Sequence, residues 1–181
     1  TEIGAYAFAN TAITSINLGK VTVIGANAFE NCTALTEVVA KNVVTIGDSA
    51  FNGASALVKF NENVEDGTLV NIPSTVTAIG NYAFYGAKFA SLNILSEGEI
   101  DLAIGEYAFA NNVINALTIP ARVASIGAYA FKNAVKNIVT TIPATEEGAE
   151  DTTETTVATL TFAARTNDLT IGDYAFDSTD V

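Results

Sequence analysis

The sequence predicts a repeat solenoid of about seven rungs, made of short parallel β-strands and turns with at most one-turn helices. Three observations carry this. The hexapeptide Ile-Gly-x-x-Ala-Phe occurs seven times, starting at Ile3, Ile24, Ile46, Ile79, Ile104, Ile126 and Ile171. Its successive steps are 21, 22, 33, 25, 22 and 45 residues, a base period near 22 with three expanded units, and a fixed period of this length marks a solenoid. Between the hexapeptides runs an apolar-x-apolar alternation, the period of a half-buried strand.

Each position of the hexapeptide has a physical reason. Ile and Phe point inward and stack on their counterparts one rung away, so Phe8, Phe29, Phe51, Phe84, Phe109, Phe131 and Phe176 form one spine. Ala stands where backbones approach too closely for a larger side chain. Gly after Ile supplies either a positive φ or room at a corner. One rung cannot bury its apolar face alone, so stability comes from neighbouring rungs. Between hexapeptides, Ile114, Leu117, Ile119, Pro120, Val123 and Ile126 give the clearest strand pattern. Ile72-Pro73, Ile119-Pro120 and Ile142-Pro143 place proline at the strand exit, where no ladder hydrogen bond is lost. A second extended piece runs into each Ile-Gly, and no stretch keeps a 3.6-residue period.

The unit resembles the BspA-like, or Treponema-type, leucine-rich repeat. That family repeats a Leu-x-x-Leu-x-Ile-Pro strand, a Val-x-x-Ile-Gly segment, Ala-Phe and a short Cys-containing turn. Residues 114–131 match it almost position by position, and Phe29-Glu30-Asn31-Cys32-Thr33-Ala34-Leu35 matches the turn. The resemblance covers essentially the whole chain and fails at the insertions; Cys32 is the sole cysteine left at that turn. It implies a right-handed leucine-rich-repeat coil on secreted or cell-surface proteins of host-associated bacteria. It also implies adhesion to host matrix proteins or to other cells. Residues 1–181 read as a single such solenoid and as a fragment of a longer chain, since the sequence lacks Met and opens inside a repeat.

The expanded steps hold the charge. Insertions near 61–68, 96–101 and 144–156 contain eleven of the twenty acidic residues. Asp66-Gly67 is a hairpin signal between Leu57-Val58-Lys59-Phe60 and Leu69-Val70-Asn71-Ile72, so a protruding hairpin is expected there. In the 45-residue step nothing apolar follows Pro143, so one rung with a long acidic hairpin or loop is expected, the strand resuming at Val157. These inserts are either solvated loops, a recognition epitope or a weak Ca²⁺ site. No Asp-x-Asp-x-Asp-Gly spacing supports the metal, and no metal or cofactor is expected.

Composition narrows the function. Net charge is −12 with only eight Lys and Arg, which disfavours nucleic acid and anionic membrane surfaces. No apolar run is long enough to insert in a membrane. The absence of histidine removes the usual general base, the Ser-His-Asp and Cys-His arrangements and most zinc sites. Solenoids that cleave polysaccharides need carboxylates on adjacent strands. The outward strand positions here are Asn17, Val39, Asn71, Asn93, Thr118 and Thr161. No enzyme is expected.

Two stripes remain as candidate binding surfaces. One is the polar strand stripe, with Asn71, Asn93 and Thr118 at its centre, which is otherwise a plain solvent-facing sheet. The other is Tyr6, Tyr82, Tyr107, Tyr129 and Tyr174, each just before Ala-Phe, with Asn27 and Ser49 in the remaining copies. Tyr gives rigid apolar area with a polar tip, and the continuous patch runs from Tyr82 to Tyr129; the alternative is a packing ladder. The expected partner is an extracellular or host-surface protein, with a glycan as a further possibility. A structural spacer presenting another domain and a carbohydrate-binding module are the competing functions.

Overall fold

In the computed structural model the described residues are 1–61, 70–97, 100–136, 138–142, 152–156, 158–165 and 168–179. The segment entering each Ile-Gly forms a strand: β1 (Glu2–Ile3), β3 (Val23–Ile24), β5 (Thr45–Ile46), β8 (Ala78–Ile79), β10 (Leu102–Ile104), β12 (Val123–Ile126) and β16 (Thr170–Ile171). These seven pair in that order into one parallel sheet, with the Ile of every copy in register. The apolar-x-apolar segments form a second row: β2 (Ser15–Asn17), β4 (Glu37–Val39), β6 (Lys59–Phe60), β7 (Asn71–Ile72), β9 (Asn93–Ile94), β11 (Ala116–Ile119) and β15 (Thr159–Phe162). Short parallel ladders and the single bridges Phe60–Val70 and Leu92–Leu117 connect it. Both rows turn their apolar residues onto one core, where Ile24, Ile46, Ile79, Ile104 and Ile126 are buried with their Ala and Phe partners.

The predicted Phe spine is present. Rings of Phe8, Phe29, Phe51, Phe84, Phe109, Phe131 and Phe176 stack in sequence with centroids 5.1–5.3 Å apart and planes within 11°. Phe60 and Phe89 close on it from the side. The end rings, Phe8 and Phe176, are only partly buried.

The glycine after Ile is there for space, not for its φ. A Cβ on Gly105 would lie 2.6 Å from the backbone carbon of Gly80, and one on Gly127 2.6 Å from that of Gly105. Rungs therefore touch backbone to backbone at this corner. Gly4, in the first rung, has nothing within 4 Å. The positive φ falls elsewhere. All seven residues before Ala-Phe are left-handed, from Ser49 at 53° to Tyr6 at 60°. So is the residue two after each Phe: Asn10, Asn31, Gly53, Gly86, Asn111, Asn133 and Ser178.

No helix occurs among the described residues; stacked turns occupy the Ala-Phe region, where at most one-turn helices were expected. Backbone amides there alternate. The Tyr6, Phe8 and Asn10 N–H groups donate to Ala26, Ala28 and Glu30 of the next rung, while Ala7 and Ala9 donate to Gly4 and Tyr6 of their own. A helix would direct all of these bonds within the rung, so coupling between rungs favours the turns.

The first insertion departs from its expected form, and the third contains the hairpin that was one of its two expected forms but starts earlier. The Phe60–Val70 bridge is parallel, so the flanks of Asp66-Gly67 are not arms of a hairpin; the turn itself lies outside the described residues. β6 and β7 are instead neighbouring strands, so the chain forms two second-row strands between β5 and β8 where the other steps form one. In the 45-residue step, β13 (Ile138–Ile142) and β14 (Thr152–Thr156) form an antiparallel hairpin. Ile142 thus ends a hairpin arm rather than a rung strand, and the excursion begins upstream of residue 144. The rung position beside β11 is filled by β15, with Phe162 opposite Ile119.

Candidate functional site

The tyrosine edge is produced by the turn. Left-handed backbone costs a Tyr about 1–2 kcal/mol, so local preference does not place it there. The alternating amides set that backbone, and the side chain projects from the turn beside its counterpart one rung away. Tyr82, Tyr107, Tyr129 and Tyr174 stack with centroids 4.8, 4.8 and 5.2 Å apart and planes within 15°. The column therefore extends one rung beyond the expected 82–129 span. The long 45-residue step does not interrupt it, because Tyr129 N–H bonds directly to Asp173 and Phe131 N–H to Ala175. Tyr174 is 65% exposed and Tyr82 38%, while Tyr107 and Tyr129 are half-buried by their neighbours.

A second column, three residues on, flanks the first. Tyr85 leans on Tyr82 at 5.7 Å. Lys132 places Nζ 4.8 Å from the centroid of the Tyr129 ring and 3.0 Å from Asp177 Oδ2. The hydrogen bond to Asp177 raises the Lys132 pKa, and the same bond lowers that of Asp177. Burial in the stack raises the Tyr107 pKa, and Tyr129 and Tyr82 add to the shift. On the other side, Asp48 Oδ1 accepts Asn81 N–H at 2.8 Å and Asn81 Oδ1 accepts Glu106 N–H at 2.8 Å, tying these rungs together.

The polar strand stripe divides. Thr118 and Thr161 are exposed and lie opposite each other in register. Asn93 is half-buried and donates to Asn71 Oδ1 at 3.0 Å. Asn71, expected on the surface, is only 6% exposed. The return of the chain between β6 and β7 brings Asn61 against it: Asn71 Nδ2 donates to Asn61 O at 3.0 Å, and Asn61 Nδ2 to Asn71 O at 3.3 Å. Asn61 also accepts Ala40 N–H at 2.6 Å. This pair seals the join in the second row and is not available to a ligand. The stripe and the tyrosine column lie on different segments of the rung, so the six candidate residues do not form one site.

Other polar groups serve the fold. Cys32 is buried and its thiol donates to Phe8 O at 2.9 Å. Arg122, 5% exposed, donates to the carbonyls of Leu95, Val76 and Pro73 at 2.6, 2.8 and 3.1 Å. Burial lowers its pKa. No group of three metal-ligating side chains exists among the described residues, and no helix there is long and apolar enough to cross a membrane. Most of the acidic insert positions lie outside the described residues.

The family described as BspA type leucine-rich repeat region (6 copies) matches residues 1–66 and 62–181. The chain belongs to this family. Its rungs show how a BspA-type unit closes: Ile-Gly at the tight corner, left-handed residues through the turn, Phe in the core. A leucine-rich repeat protein from Bacteroides ovatus ATCC 8483 is similar in fold, at 18% identity and a TM-score of 0.54 over 99% of this chain. A leucine-rich cell surface protein from Faecalibacterium prausnitzii A2-165 aligns at 26% identity and a TM-score of 0.49 over 74% of this chain. This BspA-type chain spans less than half the length of either, 45% and 40%. No curated protein matches it.

Proposed function

We propose that this BspA-type solenoid is a non-catalytic binding module of a secreted or cell-surface protein, and that it grips a protein partner along the tyrosine column. The stack of Tyr82, Tyr107, Tyr129 and Tyr174 on four successive rungs carries this reading. Tyr82 stays 38% exposed although rungs stack on both sides of it, which a packing ladder alone would not need. Interior phenols have both faces against neighbouring rings, leaving edges and hydroxyls outward. That geometry favours side chains and backbone of a protein over sugar rings, which need open faces. Pre-stacked Tyr loses little entropy on binding. Thr118 and Thr161 supply a separate polar face on the second row. Family membership supports extracellular display and an adhesive role toward host matrix proteins or other cells.

The test is binding to immobilised extracellular-matrix proteins by the full chain and by the triple variant Tyr82→Asn, Tyr107→Asn and Tyr129→Asn. Asn already occupies this left-handed position at Asn27, so the variant keeps the turn. Saturable binding reduced about tenfold or more is expected. Unchanged binding removes the tyrosine column from the account, and absence of binding to every matrix protein removes adhesion to matrix.

A further inference from the structure

The tyrosine column has a gap, and the gap has a defined width. Tyr6 and Tyr82 are three rungs apart, with Asn27 and Ser49 at the same left-handed position in the two rungs between them. Hydrogen bonds from Tyr6 N–H to Ala26, Asn27 N–H to Asp48 and Ser49 N–H to Asn81 show that these rungs are stacked without interruption. At the strand spacing of about 4.8 Å, the two rings are roughly 15 Å apart, the space of two missing rings. Tyr82 stacks on Tyr107 on one side only, with Tyr85 tilted against it at 5.7 Å, and the next position of the column on its other side is Ser49. Tyr6 is 63% exposed and pairs with no other ring among the described residues. The result is a slot with two aromatic end walls and a floor of small polar side chains.

Its sides are acidic. Glu30 lies in the flanking column, held by Asn27 Nδ2 at 3.0 Å and Asn52 Nδ2 at 3.5 Å. Asp48, on the other flank, is exposed and uses Oδ1 to accept Asn81 N–H. Neither carboxylate forms an ion pair among the described residues; the cation of this edge, Lys132, is occupied at Tyr129 and Asp177. Aromatic faces closing a carboxylate-lined slot suit a planar cation, which stacks on the rings and hydrogen-bonds the carboxylates at its edge. Arginine meets this better than lysine, because its guanidinium is flat and donates in a fork.

We propose that the slot between Tyr6 and Tyr82 is an arginine-binding site that receives one or two guanidinium side chains of a basic partner segment. The site shares Tyr82 with the column, but Tyr6, Glu30, Asp48 and Ser49 lie outside that stack, so variants at these positions test it apart from the column's role. Tyr6 and Tyr82 provide the faces, and Glu30 and Asp48 the countercharge.

The experiment titrates the full chain with a blocked Gly-Arg-Arg-Gly peptide, following tyrosine emission and heat. The same peptide with citrulline in place of arginine is flat but uncharged, and a Gly-Lys-Lys-Gly peptide is charged but not flat. Arginine should bind at least about fivefold more tightly than either. Glu30→Gln and Tyr6→Ala should each weaken it by a similar factor. The decisive variant is Ser49→Tyr, which inserts a ring that five rungs already carry at this backbone angle. It should fold normally, extend the stack and abolish arginine binding, while Asp168→Asn, which removes an exposed carboxylate in the last rung, leaves binding unchanged. No arginine binding, equal binding of the citrulline peptide, or full binding by a folded Ser49→Tyr protein would each overturn the proposal.

Discussion

Gly4 and Gly127 occupy the same hexapeptide position in different surroundings, which makes them a matched test of the tight corner. A Cβ at Gly127 meets Gly105 and Glu106 backbone at 2.6 Å, whereas one at Gly4 meets nothing within 4 Å. Gly127→Ala should cost about 3 kcal/mol and Gly4→Ala well under 1, measured by urea denaturation. The hexapeptide showed that glycine is required but not why; left-handed backbone was the other reading, and it belongs to Tyr and Asn instead. Charge at this scale gives a pH signature. Burial and the neighbouring phenols raise the Tyr107 pKa above 10.0. The stability tied to its neutral form is therefore complete below about pH 10 and lost as pH rises through the folded value. Asp177 runs the opposite way: its lowered pKa gives stability present above 3.8 and lost as pH falls through the folded value. Thermal melts across pH should show an alkaline loss that Tyr107→Phe reduces and an acid loss that Asp177→Asn reduces.

At the scale of elements, the hairpin of β13 and β14 is grafted onto a rung that closes without it. Val135 bridges Ile114, and Thr159 pairs with Ala116. The chain thus leaves and re-enters two residues apart in register, with only Asn115 between the two partners. Deleting residues 137–158 shortens the 45-residue step to 23, close to the base period. The shortened chain should keep its circular dichroism and melt within about 5 °C of the parent; loss of cooperative melting would show the hairpin to be structural. The sequence already implied a single rung here, because acidic residues follow Pro143 with nothing to bury. It concealed the hairpin's start, since Ile138-Val139-Thr140-Thr141-Ile142-Pro143 imitates a rung strand. The second-row join was equally hidden: the burial of Asn71 depends on Asn61 returning beside it, and Arg122 reaches carbonyls 46 and 49 residues away. Repeat spacing reports what every rung shares, while these are contacts that one rung makes.

Across the whole molecule, order follows from nearest-neighbour stacking, so stability should fall toward the ends. Ile24 to Ile126 are buried in their rungs, but Ile171 is 47% exposed and Phe8 and Phe176 are half-covered. Amide hydrogen exchange should be slowest around Phe51 and Phe84 and fastest in the rungs of Ile3 and Ile171. Phe84 touches stacked rings on both sides and two more at its edges; Phe84→Ala should cost about 3–5 kcal/mol in the same denaturation assay. The solenoid and its core were legible throughout, because seven copies of one Ile-Gly-x-x-Ala-Phe pattern can satisfy their Ile and Phe only by stacking. The tyrosine edge was legible in composition but not in extent, since only the direct bonding of Tyr129 to the Asp173 turn shows that Tyr174 joins it. That edge also makes the protein its own optical probe. The chain has no tryptophan and six tyrosines. Five of them, Tyr82, Tyr85, Tyr107, Tyr129 and Tyr174, are linked by successive ring contacts of 5.7 Å or less, and Tyr6 stands apart across the slot. Excitation absorbed anywhere in the linked group can migrate along it, so ultraviolet emission reports on this one margin of the molecule. Whatever docks there announces itself without a label.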